Sequence, residues 1–167
     1  EMYWDPEISD THAARFMAAV IFTGVPYFGP NLLEEPAPRN EMLTAWLRFY
    51  EANKGDLVGG DFSPYGDRDR PDQFIEGKQA TFIYYGNRYP GPVRLTKTND
   101  RLYIVNASEN SGIDLTLTGM RPGKYRADIS DLDLKNRRNP LVVGFNSRPR
   151  LRFDLPVGCL LTLTRLQ

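Results

Sequence analysis

Ile113-Asp114-Leu115-Thr116-Leu117-Thr118 and Arg150-Leu151-Arg152-Phe153-Asp154-Leu155 alternate apolar and polar residues at every step. A period of two places one set of side chains on each face of an extended strand, so each stretch predicts a strand with one buried and one wet face. Working outward from them, further strands are expected at 79–85, 93–97, 102–106, 124–130, 141–145 and 159–165. Turn residues stand between several of them, among them Asn99-Asp100 and Arg121-Pro122-Gly123. About eight short strands joined in this way predict a mainly β fold, an antiparallel β-sandwich. Leu115, Leu117, Tyr125, Ala127, Leu151, Phe153, Leu161 and Leu163 are expected to face inward.

Ahead of residue 72 the period is different. Asp10 or Thr11 is positioned to cap a helix carrying Ala14, Phe16, Met17, Ala18, Val20 and Ile21, which Thr23-Gly24 stops. Residues 25–30 read as a short strand. Asn40 is expected to cap a second helix bearing Met42, Leu43, Trp46, Leu47, Phe49 and Tyr50, with Gly55 as its C-cap. Helix, strand, helix is the repeating unit of a (β/α)8 barrel, and 58 residues hold too little of it to close one. The expected organisation is a helix-strand-helix barrel remnant over 1–58, a Gly-, Pro- and Asp-rich connecting loop over 59–71 and a sandwich over 72–167. The apolar helix faces look too broad for one strand and a sandwich to cover, so a missing barrel portion or another chain is expected against them. The ordered character of the first residues leads to the expectation that the sequence begins inside a longer polypeptide or follows a cleavage.

Composition narrows the classes of function. The 167 residues carry 21 Lys and Arg and 21 Asp and Glu, which argues against a nucleic-acid footprint built on overall positive charge. The charge is unevenly spread: residues 1–60 hold four basic and nine acidic side chains, so they carry −5 and the remainder +5. The longest apolar run, 16–22, falls far short of the roughly 20 residues a membrane-spanning helix needs. Cys159 is the lone cysteine and His12 the lone histidine, which excludes an internal disulfide and a zinc centre of the usual Cys and His ligands. No cofactor is implied, and no metal.

The stretch His12-Ala13-Ala14-Arg15-Phe16-Met17-Ala18, then Gly24-Val25-Pro26-Tyr27-Phe28-Gly29-Pro30-Asn31-Leu32, Trp46-Leu47-Arg48-Phe49-Tyr50 and Gly60-Asp61-Phe62, resembles the last turns of a (β/α)8 glycoside hydrolase of the α-galactosidase-like (melibiase) group. In that group the final barrel strand and helix run directly into a C-terminal β-sandwich. The resemblance implies a C-terminal region of a carbohydrate-active enzyme whose sandwich braces the barrel and borders the substrate groove. Such enzymes use two carboxylates about 5–9 Å apart. The family's nucleophile and acid lie on earlier strands, so no catalytic residue is assigned here and the chain alone is expected to be inactive. The alternative is a free-standing carbohydrate-binding or protein-interaction sandwich.

If 25–30 is the last barrel strand, Asn31, Glu34 and Glu35 follow its C-terminal end, where barrel active sites form. Tyr3-Trp4-Asp5 falls on the loop before. Trp4 is then expected to stack on a sugar ring, with Asp5, Asn31 and Glu34 contacting hydroxyls. Each has a plainer alternative: Glu34-Glu35 suits the positive end of the following helix dipole, and Trp4-Asp5 sits at a terminus. Tyr84-Tyr85-Gly86-Asn87-Arg88-Tyr89-Pro90-Gly91-Pro92 is a contact surface or an ordinary aromatic hairpin. Asp67, Asp69 and Asp72 lack the spacing of a calcium loop and read as solvated. Lys135, Arg137 and Arg138, with Arg148, Arg150 and Arg152, could meet an anionic polymer or form a wet sandwich face neutralised by Asp128, Asp131, Asp133 and Asp154. Asn106-Ala107-Ser108 has the form of a glycosylation sequon.

Overall fold

Alternation becomes strand where the sequence predicts it, in a computed structural model that describes residues 7–26, 34–66, 71–88 and 91–167. The helices are α1 (Asp10–Thr23) and α2 (Ala37–Gly59). The strands are β1 (Asp61–Gly66), β2 (Pro71–Glu76), β3 (Thr81–Tyr85), β4 (Val93–Arg94), β5 (Arg101–Asn106), β6 (Ile113–Thr118), β7 (Gly123–Ser130), β8 (Leu141–Phe145), β9 (Arg150–Phe153) and β10 (Leu160–Arg165). They form a seven-stranded sheet, β1-β2-β3-β5-β10-β7-β8, and a three-stranded sheet, β4-β6-β9. The chain is therefore mainly β and a sandwich.

Both sheets are mixed, which corrects the antiparallel expectation. β3 and β5 run parallel, as do β4 and β6. The reason is topological: from β3 to β6 each successive strand belongs to the opposite sheet. A strand that crosses the sandwich and returns re-enters its first sheet in its original direction, so same-sheet neighbours there are parallel. Tyr84-Tyr85 consequently ends one strand and the next lies in the other sheet, so the expected aromatic hairpin is a crossover.

Seven of the eight residues expected inside the sandwich are buried at 0–2% exposure, and Phe153 packs half-buried against the same core. A second core lies on the other face of the large sheet. There Ile75, Ala80, Phe82, Val105 and Leu160 meet Ala14, Met17, Ala18, Ile21 and Phe22 of α1 and Met42, Leu43, Trp46 and Tyr50 of α2. The Phe49 and Tyr103 rings meet edge-on at 5.0 Å, and Phe82 stacks on Tyr103 at 5.1 Å, geometries that add to area burial. The layers are thus helices, large sheet, small sheet. The apolar helix faces that looked uncovered are closed by the chain's own sheet, and among the described residues of that first segment the exposed large apolar side chains are Val25 and Val58.

Element ends differ from the sequence reading for local reasons. Ser9 caps α1, its Oγ accepting from His12 N–H at 3.3 Å and lying 2.9 Å from His12 Nδ1. α2 starts at Ala37, behind Pro36, and Asn40 instead donates its amide to Glu35 O at 3.0 Å. The helix runs through Gly55 to Gly59 because Leu57 is buried and Asp56 is needed beyond: its carboxylate accepts from Lys78, Gln79 and Ala80 N–H at 2.8–3.0 Å. The expected connecting loop holds β1, paired antiparallel with β2. Residues 25–26 are outside any strand, and the rest of the expected 25–30 strand lies beyond the described residues.

Candidate functional site

At one end of the sandwich an open groove of about 660 Å³ is lined by Tyr85, Asn87, Asn110, Asp114, Arg152 and Phe153, among others. Three elements converge on it. The end of β3 supplies Tyr85 and, one turn on, Asn87, held at φ 56°, a left-handed conformation that asparagine tolerates well. The turn between β5 and β6 supplies Asn110, and the starts and ends of β6 and β9 supply Asp114, Arg152 and Phe153.

A buried amide fixes that turn. Asn106 is fully buried; its Nδ2 donates to Asn110 O at 2.9 Å and Leu155 O at 2.7 Å, while Oδ1 accepts from Ser108 N–H at 3.0 Å. Ser108 Oγ lies 2.7 Å from Asn106 Oδ1 and 2.9 Å from Asn110 O, its one proton shared between them. Gly112, at φ 88°, closes the turn with its N–H on Leu155 O at 2.9 Å. The amide nitrogen of the apparent sequon is therefore engaged twice and closed to glycosylation in the folded chain.

The Tyr85 hydroxyl sits 2.9 Å from Asn87 Oδ1 and accepts from Asp114 N–H at 3.2 Å, tying the two sheets together at the groove. Burial pushes its phenol up, with the nearby Asp114 and Asp72 adding to the rise, so it is a donor at neutral pH. Asp114 takes a two-pronged grip from Arg150, Nε at 2.6 Å and Nη2 at 2.7 Å, and Arg152 Nε adds a contact at 3.3 Å. The Arg150 hydrogen bonds hold its carboxyl below the usual range. Asp114 is an ionised acceptor and a poor proton donor. The described lining of the groove offers planar amides, a carboxylate, a guanidinium and aromatic side chains.

Beside it lies a second carboxylate. Asp72, expected as solvated, is 1% exposed; Oδ2 accepts from Arg88 N–H at 3.2 Å and Oδ1 has no hydrogen-bond partner among the described residues. Burial pushes its carboxyl up, opposed by Arg88 and by the Gly86 N–H. A Cβ at Gly86 would run into Asp72 Oδ1, so a larger residue there requires the Asp72 carboxylate to shift. Four residues along the same strand, Glu76 is equally buried but satisfied, accepting from Thr96 and Lys97 N–H at 2.8 Å and from Thr96 Oγ1 at 2.6 Å. It is structural.

Of the residues that the sequence put forward, Trp4, Asp5 and Asn31 lie outside the described residues, as do Asp67 and Asp69. Glu34 is exposed in the turn ahead of α2 and does not line the groove, while Glu35 pairs with Arg39 at 3.4 Å. Of the basic residues, Lys135 and Arg137 meet Asp133, and Arg137 also Asp131, as expected, whereas Arg150 and Arg152 take Asp114 in place of the expected acids. Among the described residues, no group of three or more His, Cys, Asp and Glu side chains could hold a metal ion. Asp114 was legible as a wet-face residue, but its junction with Tyr85 was not, because the two are 29 residues apart. Comparison with protein-family models, with characterised proteins and with solved structures finds no match to the chain.

Proposed function

We propose that the chain is the C-terminal, non-catalytic region of a carbohydrate-active glycoside hydrolase, with the sandwich bracing a barrel and its end groove bordering the substrate path. The observation that supports this most is the groove itself, which Asn87, Asn110, Asp114 and Arg152 line together with Tyr85 and Phe153. Sugar recognition needs that mixture of flat apolar surface and fixed hydrogen-bonding groups. In this reading Trp4 stacks on a sugar ring, and Asp5, Asn31 and Glu34 grip hydroxyls. Val25 and Val58, 68% and 61% exposed, are among the described apolar side chains available for the barrel contact.

A free-standing carbohydrate-binding module is the second reading. It is favoured by the closure of the helix faces against the chain's own sheet. One pair of measurements tests what the two readings share, and a third separates them. The 167-residue chain should leave p-nitrophenyl α-galactoside intact, while melibiose added to it should shift the amide resonances of Asn87, Asn110 and Gly112. Asp114→Ala should remove those shifts and Lys54→Ala, on the far side of α2, should leave them. Hydrolysis by the chain alone would overturn the non-catalytic assignment, and melibiose, cellobiose and xylobiose all failing to shift the groove would overturn carbohydrate binding. In the full-length enzyme, Asp5→Ala or Asn31→Ala should lower turnover if the barrel reading holds; unchanged turnover leaves the free-standing module.

A further inference from the structure

The four sheet edges are not alike. β1 carries Asp61 and Pro64, β4 has two residues only, and β9 carries Arg150 and Arg152. Charge, proline and shortness are the usual devices that stop an edge from pairing with another chain. β8, the remaining edge, reads Leu141-Val142-Val143-Gly144-Phe145 and has none of them. Leu141 and Val142 are 53% and 64% exposed.

The direction of its free hydrogen-bonding groups follows from β7. Leu166 N–H donates to Lys124 O at 2.8 Å, so Lys124 points its backbone groups at β10. Successive residues alternate, which turns Tyr125 and Ala127 toward β8. Their register partners, Val143 and Leu141, are then engaged with β7, and Val142 and Gly144 present N–H and C=O outward. Three cations flank this edge. Lys124 stands opposite Gly144 in the register, Arg138 precedes the strand and Arg148 follows it; all three are exposed. None has a carboxylate partner among the described residues, Arg138 reaching only Asp154 O at 3.4 Å.

We propose that the β8 edge docks an extended acidic strand of another polypeptide, alternating Glu or Asp with β-branched residues. Main-chain hydrogen bonds to Val142 and Gly144 provide the pairing, and the flanking cations select the charge. A second copy of this chain is disfavoured by the same charges. Antiparallel self-pairing centred on Val143 brings Arg138 of one copy level with Arg148 of the other, and like charges placed opposite are repelled.

The test uses two synthetic peptides, acetyl-EVEVEVE-amide and acetyl-KVKVKVK-amide, titrated into the protein and followed by fluorescence anisotropy and by amide exchange. Saturable binding of the acidic peptide is expected, with slowed exchange at Val142 and Gly144 and no binding of the basic one. Val142→Pro, which removes the outward N–H, and Val142→Asp, which keeps it but adds a repelling charge, should each weaken binding at least about tenfold. Lys124→Glu should weaken it by a smaller factor, and added salt should do the same. No binding of the acidic peptide, equal binding of both peptides, or insensitivity to both Val142 variants would overturn the proposal. A dimer in sedimentation that Val142→Pro dissociates would also overturn it, by giving the edge to a second copy.

Discussion

Asp72 shows what a single residue can carry. Its carboxylate is buried against Gly86 with one oxygen lacking a hydrogen-bond partner among the described residues, and burial raises its affinity for a proton in the folded state. A group whose folded pKa lies above its unfolded one binds more protons when folded, so the stability it withholds returns as pH falls. The penalty is complete above the raised folded value and absent below the ordinary carboxylate value of about 3.9. Asp72→Asn keeps an oxygen for Arg88 N–H and removes the desolvated charge. It should be more stable than the parent at pH 7 by about 1–2 kcal/mol, the usual size of one unsatisfied buried polar group. That gain should shrink toward zero by pH 4 in urea midpoints measured across the range. A variant no more stable at pH 7, or a gain independent of pH, would show that the charge is compensated. Nothing in the local sequence marks Asp72 as buried, because the groups that cover it come from beyond the paired strand β3, 14–16 residues along the chain. Asn106 makes the same point from the other side. Asn-Ala-Ser reads as a surface signal, and only the long-range bond to Leu155 O, 49 residues away, reveals a buried anchor.

Elements with one wet face were legible and elements with two dry faces less so. β6 and β9 lie on the sandwich exterior, and their alternation in sequence maps directly onto burial, Ile113, Leu115 and Leu117 against Asp114, Thr116 and Thr118. β3 and β5 are central in the large sheet with a core on each side, so Phe82 and Ile83, or Ile104 and Val105, are both buried and the period of two disappears. β1 was hidden by Pro64, which an edge strand tolerates and a central strand does not. The helix layer is fastened to the sandwich by residues 131–136, where Leu134 is held at φ 58° and Trp46 Nε1–H donates to Leu132 O at 3.0 Å. Trp46 is fully buried. Trp46→Phe therefore combines a lost hydrogen bond with a cavity. It should destabilise the chain by about 2–4 kcal/mol in chemical denaturation. A loss below 1 kcal/mol, the floor of such substitutions, would mean that water replaces the indole at Leu132 O.

At the scale of the whole molecule, the change of period near residue 60 was legible as two kinds of structure, and the relation between them was not. Periodicity reports which side chains avoid water and is silent about what they avoid it with. The apolar faces of α1 and α2 fit a barrel as well as they fit a sheet; the outer face of the large sheet, with Phe82, Tyr103 and Val105, is what they meet. That shared core has a thermodynamic consequence. If helices and sandwich bury one another's apolar surface, neither is complete alone, and loss of one exposes the other's core to water. Urea unfolding should therefore be a single transition. In a Trp4→Phe background, Trp46 fluorescence reports the helix layer, and circular dichroism near 218 nm reports the sheets, a wavelength chosen for about the strand minimum. The two curves should superimpose, with one midpoint. Amide exchange should then be slowest in β3, β5 and β10, which have neighbours on both sides in the seven-stranded sheet, and fastest at its edges, β1 and β8. Fluorescence that changes at a lower urea concentration than the sheet signal would mean that the first segment detaches independently, as a barrel remnant held only at its surface would. Coincident curves mean that the helices are an integral layer of the sandwich, and any barrel this chain braces must meet it through the exposed side chains that the helices leave outside, Val25 and Val58 among them.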